Sequence, residues 1–231
     1  MRVALVTVGD ELLAGDTVNT NAAWLGERLT ERGATVERVT VVPDRVADIA
    51  RVVNEYHAEY DAVVVTGGLG PTHDDVTMAG VAAAFGRDIE RNEAALSWLE
   101  GEGGYTREDL AAGTADLPAG ARPLPNREGV APGCVVENAY VLPGVPAEMQ
   151  AMFEEVAGEF GGDRRHVETV EADEPESALL DRLDAVQERF DVKVGSYPGE
   201  TVRVKFEGPD ADAVRDAAAW LRERVESPDG N

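Results

Sequence analysis

The stretch Asp61-Ala-Val-Val-Val-Thr-Gly-Gly-Leu-Gly-Pro-Thr-His-Asp-Asp-Val-Thr77 constrains the fold more than any other part of the chain. Its apolar run, Ala62 to Val65, lacks the alternation of a half-exposed strand. It therefore reads as a strand buried on both faces, the pattern of parallel sheets. Gly67, Gly68 and Gly70 turn the backbone with nothing projecting from Cα, and Pro71 and Thr72 lead into a helical pattern from about Asp74 to Phe85. Strand, glycine loop and helix N-terminus together make an anion site, because free N–H groups and the helix dipole point outward together. Asp74 and Asp75 sit beside that site and would repel a bare phosphate. Either a divalent cation bridges the two, or a carboxylate reads an N–H edge elsewhere on the ligand.

The preceding residues repeat the strand–helix alternation. Val3 to Val8 reads as a buried strand, followed by Gly9-Asp10-Glu11-Leu12-Leu13. Asn19-Thr20-Asn21 supplies capping side chains for a helix with Ala22, Leu25 and Leu29 on one face, and Gly33 is its expected stop. Val36 to Val42 is a second strand, broken by Pro43-Asp44. The helix after it carries Val46, Ile49, Val53 and Tyr56 at the spacing of one buried face. Three strand–helix units in series predict a largely parallel, doubly wound α/β sheet, with ligands at the carboxyl ends of its strands. Asp10, Asp44 and Asp75 all fall at that edge. Taken singly, Asp10 reads as a turn residue, Asp44 as a helix cap and Asp75 as a capping partner of Thr72; taken together beside a glycine loop, they read as a site.

Further along, Gly86 to Gly104 holds another helix (Ala94, Ala95, Trp98, Leu99), and 106–112 a weaker one. Asp116 to Pro132 is Pro- and Gly-rich and irregular, as functional loops are. Gly133 to Glu137 and Ala139 to Leu142 read as a hairpin about Asn138, and a helix with Met149, Met152, Phe153, Val156 and Phe160 closes the first domain, 1–162. The boundary falls at Gly161-Gly162-Asp163. Beyond it, a βαββα pattern predicts a small α+β domain over 163–226, with a frayed tail at 227–231.

The charge is extreme: 45 Asp and Glu against 21 Lys and Arg, a formal −24, with only two lysines, Lys193 and Lys205. Nucleic acid is disfavoured as a partner. The acids are interspersed with apolar residues at helical spacing, so disorder is not the reading; a surface adapted to a salt-rich, halophilic cytoplasm is, since at about 1 M salt the screening length is roughly 3 Å. No apolar run approaches the roughly 20 residues of a membrane span, and the chain opens on a strand rather than a signal peptide, so a cytoplasmic protein is expected. One cysteine, Cys134, and three scattered histidines argue against a structural zinc.

With these residues assembled, the chain resembles the molybdopterin-binding fold family, and within it the amino-terminal domain of CinA (competence/damage-inducible protein A) proteins. The resemblance rests on residues 9–15 with 18–21, on 66–77, on Asn126 to Gly133, and on Leu142-Pro-Gly-Val-Pro-Ala-Glu-Met149. It spans about 1–160; the small domain resembles CinA proteins more weakly. It implies a three-layer α/β/α sandwich whose pocket takes a pterin or a nucleotide, and a homo-oligomer, dimer or trimer, in which Trp24, Trp98 and Trp220 find cover. It also implies a ligand site drawn from Gly9, Asp10, Glu11, Asn19, Thr20, Asn21, Thr66, Gly67, Gly68, Gly70, Pro71, Thr72, Asn126, Gly129, Gly133, Gly144, Pro146 and Glu148. Asp44, Asp74 and Asp75 are the catalytic candidates, and Asp10 with Asp75 the candidate ligands of Mg²⁺ or a similar divalent metal. CinA-type members are associated with metal-dependent hydrolysis of ADP-ribose; others of the fold adenylylate molybdopterin or insert its metal. A binder that kept the pocket without catalysis is the third reading. The nicotinamide mononucleotide deamidase domain that many CinA proteins carry is not expected within 231 residues.

Overall fold

A computed structural model describes residues 1–106, 108, 110–162 and 166–228. The chain divides into two compact units, Met1–Gly162 and Asp163–Asn231.

In the first unit, β1 (Arg2–Val8), β2 (Thr35–Val42) and β3 (Ala62–Thr66) run parallel, joined by α2 (Thr20–Glu31) and α3 (Val46–Glu59). The sheet order is β2-β1-β3-β8-β7-β6. Strand β8 (Ala139–Leu142) continues the parallel set beside β3, while β7 (Gly133–Val136) and β6 (Arg122–Leu124) close the edge antiparallel. The 133–142 hairpin turns at Glu137 (φ 51°) and Asn138, as expected.

Period-two alternation in the strands divides the core. Val6, Val8, Val63 and Val65 face α3, α4 (Thr77–Ala84) and α5 (Glu93–Glu100). Val3, Leu5, Ala62 and Val64 face α2 and α6 (Pro146–Val156), which carries Met149, Met152 and Phe153. Side chains that point both ways from every central strand need helices on both faces, which gives an α/β/α sandwich.

Four local expectations are corrected. Val46 is 39% exposed; Val52 completes the buried face of α3. The helix expected from Asp74 starts at Thr77, because Asp75 closes a local turn on Thr72 first. Residues 10–14 form a short helix, α1, ended by Gly15 in the left-handed region. Within 86–104 a strand, β4 (Ile89–Arg91), precedes the helix, and 116–132 is not wholly irregular: β5 (Asp116–Pro118) pairs with β4, and β6 joins the main sheet. Of the weak helix expected over 106–112, Arg107 and Asp109 lie outside the described residues, and no described residue there is helical.

The second unit is the βαββα expected. An antiparallel sheet, order β10-β11-β9, is built from β9 (His166–Ala172), β10 (Lys193–Pro198) and β11 (Val202–Gly208). Helices α7 (Glu176–Arg189) and α8 (Ala211–Arg222) bury Leu179, Val186, Ala217 and Leu221 against Val170, Val204 and Phe206. Asp163, at the expected boundary, and 229–231, in the expected tail, lie outside the described residues.

Candidate functional site

Strand register brings the sequence motifs together. Val8 pairs with Val42, Thr7 with Thr66, and Thr66 with Leu142. Four parallel strands therefore end level, and the residues that follow (Gly9, Pro43-Asp44, Gly67-Gly68 and Pro143-Gly144) meet at one edge. There a cavity of about 270 Å³ is lined by Thr7, Val8, Gly9, Glu11, Leu12, Thr17, Val18, Asn19, Thr20, Asn21, Asp44, Thr66, Gly67, Gly68, Asp74, Asp75, Gly144 and Pro146.

Asparagines sew the rim. Asn19 caps α2, its Oδ1 accepting from the Ala22 N–H at 3.1 Å, while its Nδ2 donates to Thr7 Oγ1 at 2.9 Å. Asn21 Nδ2 donates to the Gly144 carbonyl at 2.7 Å, and its Oδ1 is buried with no partner among the described residues.

The carboxylates are held one oxygen at a time. Asp44 does not cap α3, whose N-cap is Arg45; its Oδ2 accepts from the Asp10 N–H at 2.8 Å. Asp75 Oδ2 accepts from the Thr72 N–H at 3.0 Å and from the Thr72 hydroxyl, so the capping role is real. A Cβ on Gly68 would lie 2.3 Å from Thr77 Oγ1 and 3.4 Å from Asp44 Oδ1; one on Gly70 would lie 2.6 Å from Asp75 Oδ2. The loop glycines thus make room for the protein's own oxygens. Gly68, at φ 64°, and Gly67, at φ 101°, also adopt a backbone that side chains disfavour.

Donors remain for an anion. The N–H groups of Gly68, Leu69 and Gly70 have no partner among the described residues. Helix α4 starts without a side-chain cap, and the fully buried Thr77 hydroxyl is unpartnered. Burial pushes the Asp44 carboxyl above its ordinary value, with Asp10, Glu11 and Asp74 adding to the rise against the Asp10 N–H. Asp74 moves the other way, lowered chiefly by hydrogen bonding to Thr72. The two neighbouring carboxyls are thus shifted in opposite directions, one by burial and one by hydrogen bonding.

The remaining candidates fall outside this cavity. Asp10 contributes its N–H to Asp44, and its exposed side chain is not in the lining. Gly70, Pro71 and Thr72 line a second cavity with Asp75. Asn126, Gly129, Gly133 and Glu148 line neither. Buried Asn126 donates to Glu148 Oε2 at 2.7 Å and to the Ala131 carbonyl at 3.0 Å, bracing the 126–131 loop on α6. A Cβ on Gly129 would fall 2.4 Å from the Glu148 carboxyl carbon. Sequence reading missed Thr7, Val8, Leu12, Thr17 and Val18 as lining residues; only Thr7, a hydroxyl within a valine-rich strand, carried a signal.

Residues 4–160 match the family profile described as "Probable molybdopterin binding domain". The chain belongs to the molybdopterin-binding domain family. Residues 164–228 match the FAD synthase middle domain. A protein of Archaeoglobus fulgidus is 39% identical over 225 residues, covering 96% of this chain and 97% of that protein. The crystal structure of CinA from Thermoplasma acidophilum, described there as of unknown function, is 38% identical with a TM-score of 0.63, covering 69% of this chain and 97% of that chain. A CinA-like protein of Frankia casuarinae is 46% identical over 165 residues, 66% of this chain but 38% of that longer protein. Within the molybdopterin-binding family, the first unit is thus of the CinA type, and its strand-edge cavity lies where the family's motifs converge.

Proposed function

We propose that the first unit binds a nucleotide diphosphate of the ADP-ribose class together with a divalent cation and hydrolyses its P–O–P bridge. One observation carries this reading. Asp44 and Asp75 each commit one oxygen to holding a loop and keep the other, beside a glycine loop with unpartnered N–H groups, and among the described residues no Lys or Arg lines the cavity. A diphosphate has donors to meet it there but no cationic side chain, so it must bring its own counter-charge.

The donor set fits a hard cation such as Mg²⁺. Among the described residues no three of His, Cys, Asp and Glu converge as a ready-made cage; one or two carboxylates completed by substrate phosphates is the usual Mg²⁺ arrangement. Asp44 and Asp75 would hold it, and it would supply charge neutralisation of the diphosphate and polarisation of its oxygens. The Gly68–Gly70 amides and the Thr77 end of α4 orient the phosphates. Asp74, in the same lining and not committed to the cation, accepts the proton of the attacking water. Asn19, Thr20 and Asn21 offer hydrogen bonds to sugar hydroxyls.

The test is to incubate the protein with ADP-ribose in high salt with and without Mg²⁺. AMP and ribose 5-phosphate are expected only with metal. Metal-independent binding of molybdopterin without ADP-ribose turnover would instead support a cofactor-synthesis role in which the carboxylates read the pterin edge.

A further inference from the structure

The second unit buries one face of its sheet and leaves the other bare. Val170, Val204 and Phe206 point inward to α7 and α8, so the positions between them point outward. On that outward face, strand register sets Tyr197 opposite Arg203, Gly195 opposite Lys205 and Lys193 opposite Glu207. Both lysines of the chain therefore stand there, with Arg203 beside them. Of the outward acids, Glu207 pairs with Lys205 at 3.4 Å and Glu171 accepts from the Thr201 hydroxyl at 2.7 Å. Lys193 and Arg203 make no ion pair among the described residues, although the chain has 45 acids for 21 bases. Tyr197 lies back along β10, close enough that a Cβ on Gly195 would fall 3.0 Å from its hydroxyl, and it is 48% exposed. The outer face of α7 has the opposite character. Asp181, Asp184 and Glu188 recur there at helical spacing, exposed and with no ion pair among the described residues, next to Leu180 at 55% exposed.

We propose that the bare sheet face of one chain docks on the outer face of α7 in a second copy, with Lys193 and Arg203 meeting Asp181, Asp184 and Glu188, and Tyr197 meeting Leu180. Each surface lacks what the other carries: one holds cations without acids, the other acids without cations, and each adds one exposed apolar side chain. The two lie on opposite sides of the same unit, so the second unit of one chain does not satisfy both. A helix placed on the bare face also completes the helix–sheet–helix layering that this unit has on one side only. Because the two surfaces differ, the contact is heterologous, and growth does not stop at a dimer. Strand spacing and rise give the bare face about 14 by 20 Å, roughly 300 Å². Stable complexes bury about 800 Å² a side, so the association is weak and is read at about 0.1–1 mM protein.

Light scattering on the full chain, in salt that keeps it folded, should give an average mass that climbs with concentration and does not level off at a dimer. Lys193→Glu with Arg203→Glu should weaken this association about tenfold or more, and Asp181→Arg with Asp184→Arg by as much. Mixed in equal amounts, the two double variants should associate again, because the reversed sheet face of one then meets the reversed helix of the other. Leu180→Asn, a single change at an exposed position, should weaken association severalfold and serves as the check if either double variant fails to fold. A mass that stays constant over the concentration range would overturn the proposal. So would parent-like association of the folded α7 variants, or no recovery when two folded double variants are mixed. If the parent keeps a constant mass but binds a single-stranded oligonucleotide or a polyglutamate peptide, and the sheet-face variant does not, the occupant is a polyanion and the second copy is ruled out.

Discussion

At the scale of single residues, the acidic glycine loop resolves into carboxylates that work with one oxygen each. Asp44 is the most informative. Its carboxyl titrates above its ordinary value because it is partly desolvated and faces other acids. A carboxyl whose folded pKa is raised binds its proton more readily in the native state than in the unfolded one. Stability therefore falls as pH rises through the window from the ordinary value to the raised one. Asp44→Asn should remove that fall and leave the protein slightly more stable at pH 7, because the amide oxygen can still accept from the Asp10 N–H. The same change should abolish Mg²⁺-dependent binding. Thermal midpoints across pH 4–8 check it; a variant less stable than the parent at pH 7 would show that the carboxylate stabilises the fold through its charge.

At the scale of elements, glycines with similar sequence signatures have opposite roles. On α4, a Cβ at Gly80 would lie 2.6 Å from Ile49 Cβ on α3, whereas at Gly26 on α2 nothing lies within 4 Å. Gly80→Ala should destabilise by about 1–3 kcal/mol through overpacking, and Gly26→Ala should stabilise by about 0.5–1 kcal/mol through helix propensity. Denaturant midpoints of equal sign for the two would refute the packing. This contrast also marks what the sequence could reveal. Strands β1 and β3 were legible because a strand buried on both faces must be apolar at every position. Asn19 and Gly33 were legible because caps are local. Helix α1 was not, since none of its five residues is buried, and β4 is three exposed residues. The start of α4 was misread because the Asp75–Thr72 bond competes locally with the helix. The second cavity joins β4 and residues 111–117 to residues 130–132 and to the glycine loop, and no local pattern announces such a meeting. Glu11, Asp44, Asp74 and Asp75 were legible as acids at the strand edge, but which oxygen stays free depends on partners as distant as Asp10 for Asp44.

At the scale of the molecule, the charge of −24 sets the conditions for every experiment. Arginines do pair, as in Arg122–Glu159 and Arg222–Glu168, but both partners are solvent-exposed and such pairs are worth about 0–1 kcal/mol each. The uncompensated acids outweigh them, so the thermal midpoint should climb as salt rises from 0.1 M toward about 1 M and the screening length falls from about 10 to about 3 Å. A midpoint that falls over that range would mean the ion pairs dominate. Among the described residues no helix is long and apolar enough to cross a membrane. The central claim is that Asp75 holds a cation for a diphosphate with the oxygen that Thr72 leaves free. Its most direct test is a calorimetric titration of ADP-ribose in molar salt, with and without Mg²⁺, on the parent, Asp75→Asn and, as control, Asp173→Asn in the second unit. The account predicts Mg²⁺-dependent binding in the parent and the control, and a loss of about tenfold or more in Asp75→Asn with an unchanged melting profile. Parent-like, Mg²⁺-dependent binding in Asp75→Asn would contradict it and leave Asp75 as the cap of a turn.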